Sequence, residues 1–235
     1  MMRDIKAVLL DLDETLTDAF TGLRAARRAV AGRLHKYLRE HGIELDEEVI
    51  YTRLREFDDK MAIETKYNRD EWWPELLAGF GLKQKVPRRT VRQLTKLYWT
   101  TFARANKPFP DAGPTLSYIR EKGYKLGLIT DTDVEPGLKL ERVRRFRFIK
   151  LFNAVVISGE DIPETKPSPK PFLLLASKLG ASAGECVVVG DKPFTDIKGA
   201  KAAGMRTIWL KRRDWGIEEK ADFTINSLAE LRRIL

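Results

Sequence analysis

The spacing of apolar positions changes along the chain, and those changes divide it. Ile5, Ala7, Val8, Leu9 and Leu10 form a short apolar run that ends in acid at Asp11, the pattern of a parallel strand buried on both faces. Beyond it, Phe20, Leu23, Ala26, Val30, Leu34, Tyr37 and Leu38 recur at three or four residues. That period predicts an amphipathic helix ending near Gly42. Val49, Ile50, Leu54, Phe57 and Met61 predict a second helix, with Asp46 placed to cap its start. Trp72, Trp73, Leu76, Leu77 and Phe80 mark a shorter third helix that stops at about Gly79 to Gly81. A fourth begins after Pro87 and carries Val91, Leu94, Leu97, Tyr98 and Phe102. Residues 20–105 therefore read as a bundle of helices with no strand candidate among them.

At Lys107-Pro108-Phe109-Pro110 two prolines make a stiff exit from the bundle. From there the chain alternates. Helices expected over 113–122, 137–148, 169–180, 195–203 and 227–234 are interleaved with strands over 125–129, 154–157, 186–189, 207–210 and 223–225. Alternation of this kind implies a parallel sheet covered on both faces, to which the first strand at 5–10 also belongs. The fold class is thus α/β, a Rossmann-like parallel-sheet core of residues 1–17 and 107–235 with an α-helical domain, 18–106, inserted after the first strand. The linkers at 17–21 and 106–111 form a natural hinge.

Composition narrows the chemistry. The chain has 235 residues, 33% of them charged, and no apolar stretch long enough to span a bilayer. Its start is charged and lacks the apolar segment of a secretory signal, so a cytoplasmic, membrane-free protein is expected. Cys186 is the only cysteine and sits in the run Cys186-Val187-Val188-Val189, where a small buried hydrophobe fits and no internal disulfide is possible. His35 and His41 are the only histidines, both in a charged helical stretch, which disfavours a histidine-based zinc site or triad. Carboxylates, lysines and hydroxyls must carry the reaction. The formal net charge of +9 could mean a nucleic-acid partner, but it is spread along the sequence rather than gathered in an arm, and a general attraction for small anions explains it as well. The many Lys, Arg, Asp and Glu with few Gln and Asn match the drift of thermophile proteins.

In an open α/β sheet, ligands bind beyond the carboxyl ends of the strands. The residues expected there are Asp11 and Asp13 after the first strand and Thr130-Asp131-Thr132-Asp133 after the second. Lys166-Pro167-Ser168-Pro169 follows the third, and Gly190-Asp191, with Asp196 five residues on, the fourth. In extended backbone Asp11 and Asp13 point to one side and can converge. Singly, each residue also has a structural use: Asp11 and Asp13 in a solvated turn, Thr130 closing a strand, Lys166 in a solvated loop, Asp196 near a helix N-terminus. Placed together they can bind one phosphoryl group and one divalent cation. Ser168 and Pro169 read as a helix cap and a first-turn proline that would hold the lysine in place.

These four stretches resemble the motifs of the haloacid dehalogenase superfamily: Asp11, Asp13 and Thr15; Thr130; Lys166 to Pro169; and Gly190, Asp191 and Asp196. The helical insertion is similar to the family's C1 cap. One departure is Asp131-Thr132-Asp133, where many relatives carry Asn and a small residue. The resemblance implies a phosphoric monoester hydrolase with Asp11 as nucleophile and Asp13 as acid and then base. It implies Mg2+ held by Asp11, the Asp13 carbonyl, Asp191 and Asp196, the last as ligand or as support. Thr130, Asp131 and Lys166 would meet the phosphate. The expected substrate is a small phosphorylated metabolite such as a sugar or triose phosphate or phosphoglycolate. Thr17, Asp18, Arg24, Lys66 and Trp73 are candidate contacts, each with a surface or core role as the alternative reading. The expected assembly is a monomer or small homo-oligomer. Phosphomutases share the same residues; 2-haloacid dehalogenases use the same nucleophile but need no acid two residues on. A phosphate-receiver domain or a nucleic-acid-binding module fits the insertion and the charge pattern least.

Overall fold

The computed structural model describes Met2 and residues 4–134, 137–216 and 219–235. The chain forms two compact units, Met1–Asp18 with Pro108–Leu235, and Ala19–Lys107.

The first unit is built on a six-stranded sheet of order β3-β2-β1-β4-β5-β6. Its strands are β1 Ala7–Leu10, β2 Lys125–Asp131, β3 Ala154–Ser158, β4 Cys186–Gly190, β5 Arg206–Leu210 and β6 Phe223–Ile225, and every pairing is parallel. β1 lies at the centre between β2 and β4, with Leu10 level with Leu128 and Val189. The side-chain period of two sends its residues to two cores. Val8 and Leu10 pack with Leu116, Ile119, Val143 and Leu228 on one face; Ala7 and Leu9 pack with Phe172, Leu175 and Ala200 on the other. Cys186 is fully buried in the second core, as its place in an apolar run predicts, and burial pushes its thiol up to about 11. Gly127 has no side chain because a Cβ there would come within 2.9 Å of Leu175 and Leu179.

The helices of this unit are α5 Ala112–Glu121, α6 Leu138–Arg144, α7 Lys170–Lys178 and α8 Lys198–Ala202, numbered after the four of the insertion. Three differ from the expected spans. The element read as one helix over 137–148 is α6 followed by a 3₁₀ turn at Arg147–Leu151, because Val143, Phe146 and Phe148 are all buried and no single α-helical face presents that spacing. The helix expected over 195–203 begins as a π-helical turn, Pro193–Ile197, and the final helix is 3₁₀ over Leu228–Arg233. The stretches that enter and leave the insertion are tied together: Thr17 bridges Pro108, and Phe109 N–H donates to Leu16 O at 3.0 Å.

The second unit holds α1 Ala19–Glu40, α2 Glu47–Ile63, α3 Arg69–Gly79 and α4 Arg88–Ala105. Asp46 caps α2 by accepting from Glu48 N–H at 2.7 Å. Its core contains a charge network. Asp58, 2% exposed, accepts from Tyr98 OH at 2.6 Å, Arg27 Nε at 2.9 Å and Arg69 Nη2 at 3.4 Å. The Arg69 guanidinium lies 4.2–4.4 Å from the ring centroids of Trp72, Tyr98 and Trp99, so aromatic faces supply part of its solvation. No described helix of either unit is long and apolar enough to cross a membrane.

Removing one partner of a buried ion pair strands the others without solvent. Asp58→Asn should therefore lower the stability of this unit by about 3–5 kcal/mol, measured by urea unfolding with tryptophan fluorescence. Burial alone would raise the Asp58 carboxyl, but Arg27 and Arg69 outweigh it and hold the group below its ordinary 3.8. A depressed carboxylate stabilises fully above its unfolded pKa and loses that contribution as pH falls through the folded one. The stability gap between wild type and Asp58→Asn should accordingly stay constant above pH ~5 and close on acidification.

Candidate active site

β1 ends at Leu10, and the next residue, Asp11, is 6% exposed at the carboxyl end of the central strand. The backbone then leaves the sheet. Glu14 takes a φ of +68°, and Leu16 and Thr17 N–H return to Leu12 O at 2.9 and 3.0 Å, closing a tight turn. This turn separates the two carboxylates expected to converge. Asp11 and Asp13 lie at the same end of the sheet, but their side chains engage different partners.

Asp11 belongs to one cluster. Lys166 Nζ donates to Asp11 Oδ1 at 2.7 Å and to Asp196 Oδ1 at 2.6 Å. One carboxylate oxygen each of Asp11, Asp191 and Asp196 lies within 4.8 Å of the others, and all three residues are buried. Asp196 is folded back onto its own loop by the π-helical turn: its Oδ2 accepts from Lys192 N–H at 3.0 Å. A Cβ at Gly190 would land on the Asp196 carboxylate, so glycine there makes room for it. Trp209 Nε1–H holds the Asp191 carbonyl at 3.0 Å. Both Asp191 carboxylate oxygens are buried with no hydrogen-bond partner among the described residues.

The electrostatics follow from this crowding. Burial pushes the Asp11 carboxyl up to about 6, with Lys166 opposing the rise and Asp196 adding to it. Burial raises Asp191 well above the ordinary range, Lys192 opposes, and Asp11 and Asp196 add to the rise. Burial would lower Lys166, but the charges of Asp11 and Asp196 overcome it and hold the ammonium well above its usual value. Three acids around Lys166, with Lys192 acting on them from beside Asp191, still leave a deficit of positive charge. The orphaned oxygens of Asp191 and the all-oxygen donor set fit a hard divalent cation. Asp11 and Asp191 are free to ligate it, whereas both Asp196 oxygens already accept hydrogen bonds.

Thr130, 1% exposed in β2, pairs with Ile157 of β3 at the same end of the sheet. Asp131 follows it, with Oδ1 accepting from Ser158 Oγ and from Lys166 N–H at 3.1 Å. In this structure Asp131 thus fixes the backbone of Lys166. α7 starts at Lys170, and Ser168 Oγ accepts from its N–H at 3.4 Å. Among the insertion candidates, Trp73 is fully buried and donates Nε1–H to Thr95 Oγ1 at 2.7 Å. Lys66 is exposed and paired with Glu64 at 2.7 Å, and Arg24 is exposed. Thr17 is buried, its hydroxyl on Leu12 O at 3.2 Å.

Asp13 belongs to a second cluster that the sequence analysis does not identify. Arg142 grips it with two prongs, Nη1 to Oδ1 and Nη2 to Oδ2, each at 2.6 Å, and Lys139 Nζ donates to Oδ2 at 3.0 Å. Asp133 completes the group, meeting Lys139 at 2.8 Å and Arg142 Nε at 3.1 Å. Burial alone would raise the Asp13 carboxyl; Arg142 and Lys139 outweigh it and hold it well below the ordinary range. The signal available in the sequence was two cations three residues apart on one helix following Asp133, a spacing equally common on solvated helices.

Comparison with known proteins matches this arrangement to a family. A family model described as haloacid dehalogenase-like hydrolase matches residues 5–204. The chain is 36% identical over 213 residues to a glyceraldehyde 3-phosphate phosphatase of Methanopyrus kandleri, covering 88% of this chain and 84% of the relative. It is 30% identical over 216 residues to a phosphoglycolate phosphatase of Shigella boydii, covering 88% and 81%. Among solved structures, a HAD phosphatase from Thermococcus onnurineus is 29% identical with a TM-score of 0.67, over 98% of this chain and 97% of that one. The motif residues, the parallel sheet with its helical insertion and these likenesses lead to one conclusion: the chain belongs to the haloacid dehalogenase-like hydrolase family.

Proposed function

We propose that the protein is a Mg2+-dependent phosphatase of small phosphorylated metabolites, of triose phosphate or phosphoglycolate size, acting through an aspartyl-phosphate on Asp11. The observation that carries this reading is the pairing of Asp11 with Lys166 beside Asp191, whose two buried oxygens meet no hydrogen-bond donor among the described residues. The relatives named for glyceraldehyde 3-phosphate and phosphoglycolate support the substrate class.

Asp11 attacks phosphorus, and the bond to the ester oxygen breaks with its electron pair going to the leaving alkoxide. Asp13, after taking up a proton from solvent against the pull of Arg142 and Lys139, donates it to that oxygen. In the second half-reaction Asp13 takes a proton from the water that attacks the aspartyl-phosphate, the bond from phosphorus to Asp11 breaks, and the carboxylate returns with release of phosphate. Lys166 holds Asp11 in place and offsets negative charge on the transferring group, and Thr130 offers its hydroxyl to the phosphoryl oxygens. Asp11, Asp191 and the Asp13 carbonyl are the groups to hold Mg2+, with Asp196 supporting from behind. The ion would supply screening between an anionic nucleophile and an anionic substrate. The helical unit is read as the counterpart of the family's cap domain.

The test is phosphate release from a panel containing glyceraldehyde 3-phosphate, phosphoglycolate and hexose phosphates, alongside halide release from a 2-haloacid. Wild-type turnover should require Mg2+, vanish with EDTA and return on adding the ion. Asp11→Asn should lose about a thousandfold or more in kcat. Halide release without metal, and no phosphate release, would overturn the reading in favour of a dehalogenase. Asp191→Asn should raise the Mg2+ concentration needed for half-maximal rate by about tenfold or more, whereas an unchanged requirement would remove Asp191 from the metal site.

A further inference from the structure

Cations are spread along this sequence, but acids are not. Between Glu75 and Asp111, residues 76–110 contain no Asp or Glu and eight Lys and Arg, so this one stretch supplies eight of the nine net positive charges. All eight are exposed and all belong to the helical unit. Six of them gather at the start of α4. Arg88, Arg92 and Lys96 recur every four residues, one per turn and about 6 Å apart along the axis. Arg89 flanks them, and Lys83 and Lys85 lie in the segment that leads into the helix. Val91, Leu94, Tyr98 and Phe102 bury the other face. Among the described residues none of the six side chains meets a carboxylate or any other hydrogen-bonding partner. Elsewhere on the surface exposed cations are matched: Lys6 with Glu185, Arg28 with Glu48, Lys66 with Glu64 and Lys170 with Glu164.

This arrangement works against the fold. Like charges four residues apart on a helix repel each other, and Arg88 and Arg89 stand in the first turn, where the helix dipole disfavours cations. The neighbouring helices open on acids instead, Glu47 and Glu48 in α2, Asp70 and Glu71 in α3. A surface charged for thermal stability mixes both signs in ion-pair networks, and this face has one sign only. Repulsion with no counter-charge inside the unit points to a polyanion outside it. A membrane-binding helix sets apolar side chains beside its cations, whereas every exposed residue of α4 is polar or charged. Single-stranded nucleic acid calls for exposed rings on which bases stack, and Tyr98, Trp99 and Phe102 are buried. A regular row of phosphates needs neither. We propose that the cationic face of α4, with Lys83 and Lys85, binds the phosphate backbone of duplex nucleic acid without reading its bases. Contacts of this kind position a protein on a duplex and carry no sequence information. The surface uses none of the residues of the phosphatase reading.

The test is fluorescence anisotropy of a labelled DNA duplex of about 20 base pairs, titrated with the full chain in EDTA at about 50 to 200 mM salt. Its ends carry hydroxyl groups, so it offers no phosphate monoester to the Asp11 cluster. Arg88→Gln/Arg92→Gln/Lys96→Gln removes the helical row, and Lys83→Gln/Lys85→Gln, outside the helix, serves should the first variant not unfold cooperatively. Arg144→Gln/Arg145→Gln/Arg147→Gln, which removes exposed cations of the first unit, is the control for charge alone. The wild-type affinity should fall linearly with salt on logarithmic axes. The helical variant should lose about tenfold or more at about 100 mM salt, with a slope shallower by about 2 to 3, as three lost phosphate contacts require. The segment variant should lose affinity in the same direction, and the control should stay within about twofold. No wild-type binding at the lowest salt would overturn the inference, as would equal losses in the patch and control variants. Binding to vesicles of phosphatidylserine and phosphatidylcholine, with none to the duplex, would overturn it in favour of a membrane. A patch variant that keeps its duplex affinity but loses kcat/KM on the best small ester would overturn it too, making the face an attractor of substrate.

Discussion

Negative charge gathered at the carboxyl end of a buried sheet repels itself, and the way the protein balances that charge organises the whole first unit. Asp11, Asp191 and Asp196 converge where water has little access, and Lys166 reaches in to hydrogen-bond two of them. The lysine is itself located by Asp131, which accepts from its backbone N–H. Burial of an unpaired carboxylate is expensive. That expense falls on Asp191, whose carboxylate has no donor among the described residues. A site that retains such an orphan is prepared for a cation, and the rise in Asp11 and Asp191 expresses the same demand.

Asp13 answers a different balance. Its charge is matched by Arg142 and Lys139 with Asp133 opposite, so the two acids of one short motif sit in unlike surroundings. Asp11 is held up toward neutrality by burial and Asp13 is held down by cations. The turn through Glu14 and the return of Leu16 and Thr17 to Leu12 make the separation possible within three residues.

The helical unit shows the same physics without the chemistry. Asp58 is buried among Arg27, Arg69 and Tyr98, and the aromatic rings of Trp72, Tyr98 and Trp99 enclose Arg69. Here every carboxylate oxygen of Asp58 meets a donor. The network serves to hold the helices together.

The α/β class, the helical insertion and the main motif residues were legible in the sequence because each rests on local information. A buried parallel strand must be apolar throughout, a packed helix must repeat at 3.6 residues, and the motif residues sit at strand ends because the strands deliver them there. Trp73 reads as core for the same reason, and it is buried. The tertiary structure decided what depends on partners far apart along the chain. Arg142 and Asp13 are 129 residues apart, and nothing near either one announces the contact, since cations spaced three apart on a helix more often face solvent. The choice of Asp131 as an anchor for Lys166 needed Ser158 and the lysine loop to be brought beside it. The broken helix after Arg144 needed Phe146 and Phe148 to find one core. Periodicity specifies which face of an element is buried; only packing specifies which charge a buried carboxylate meets.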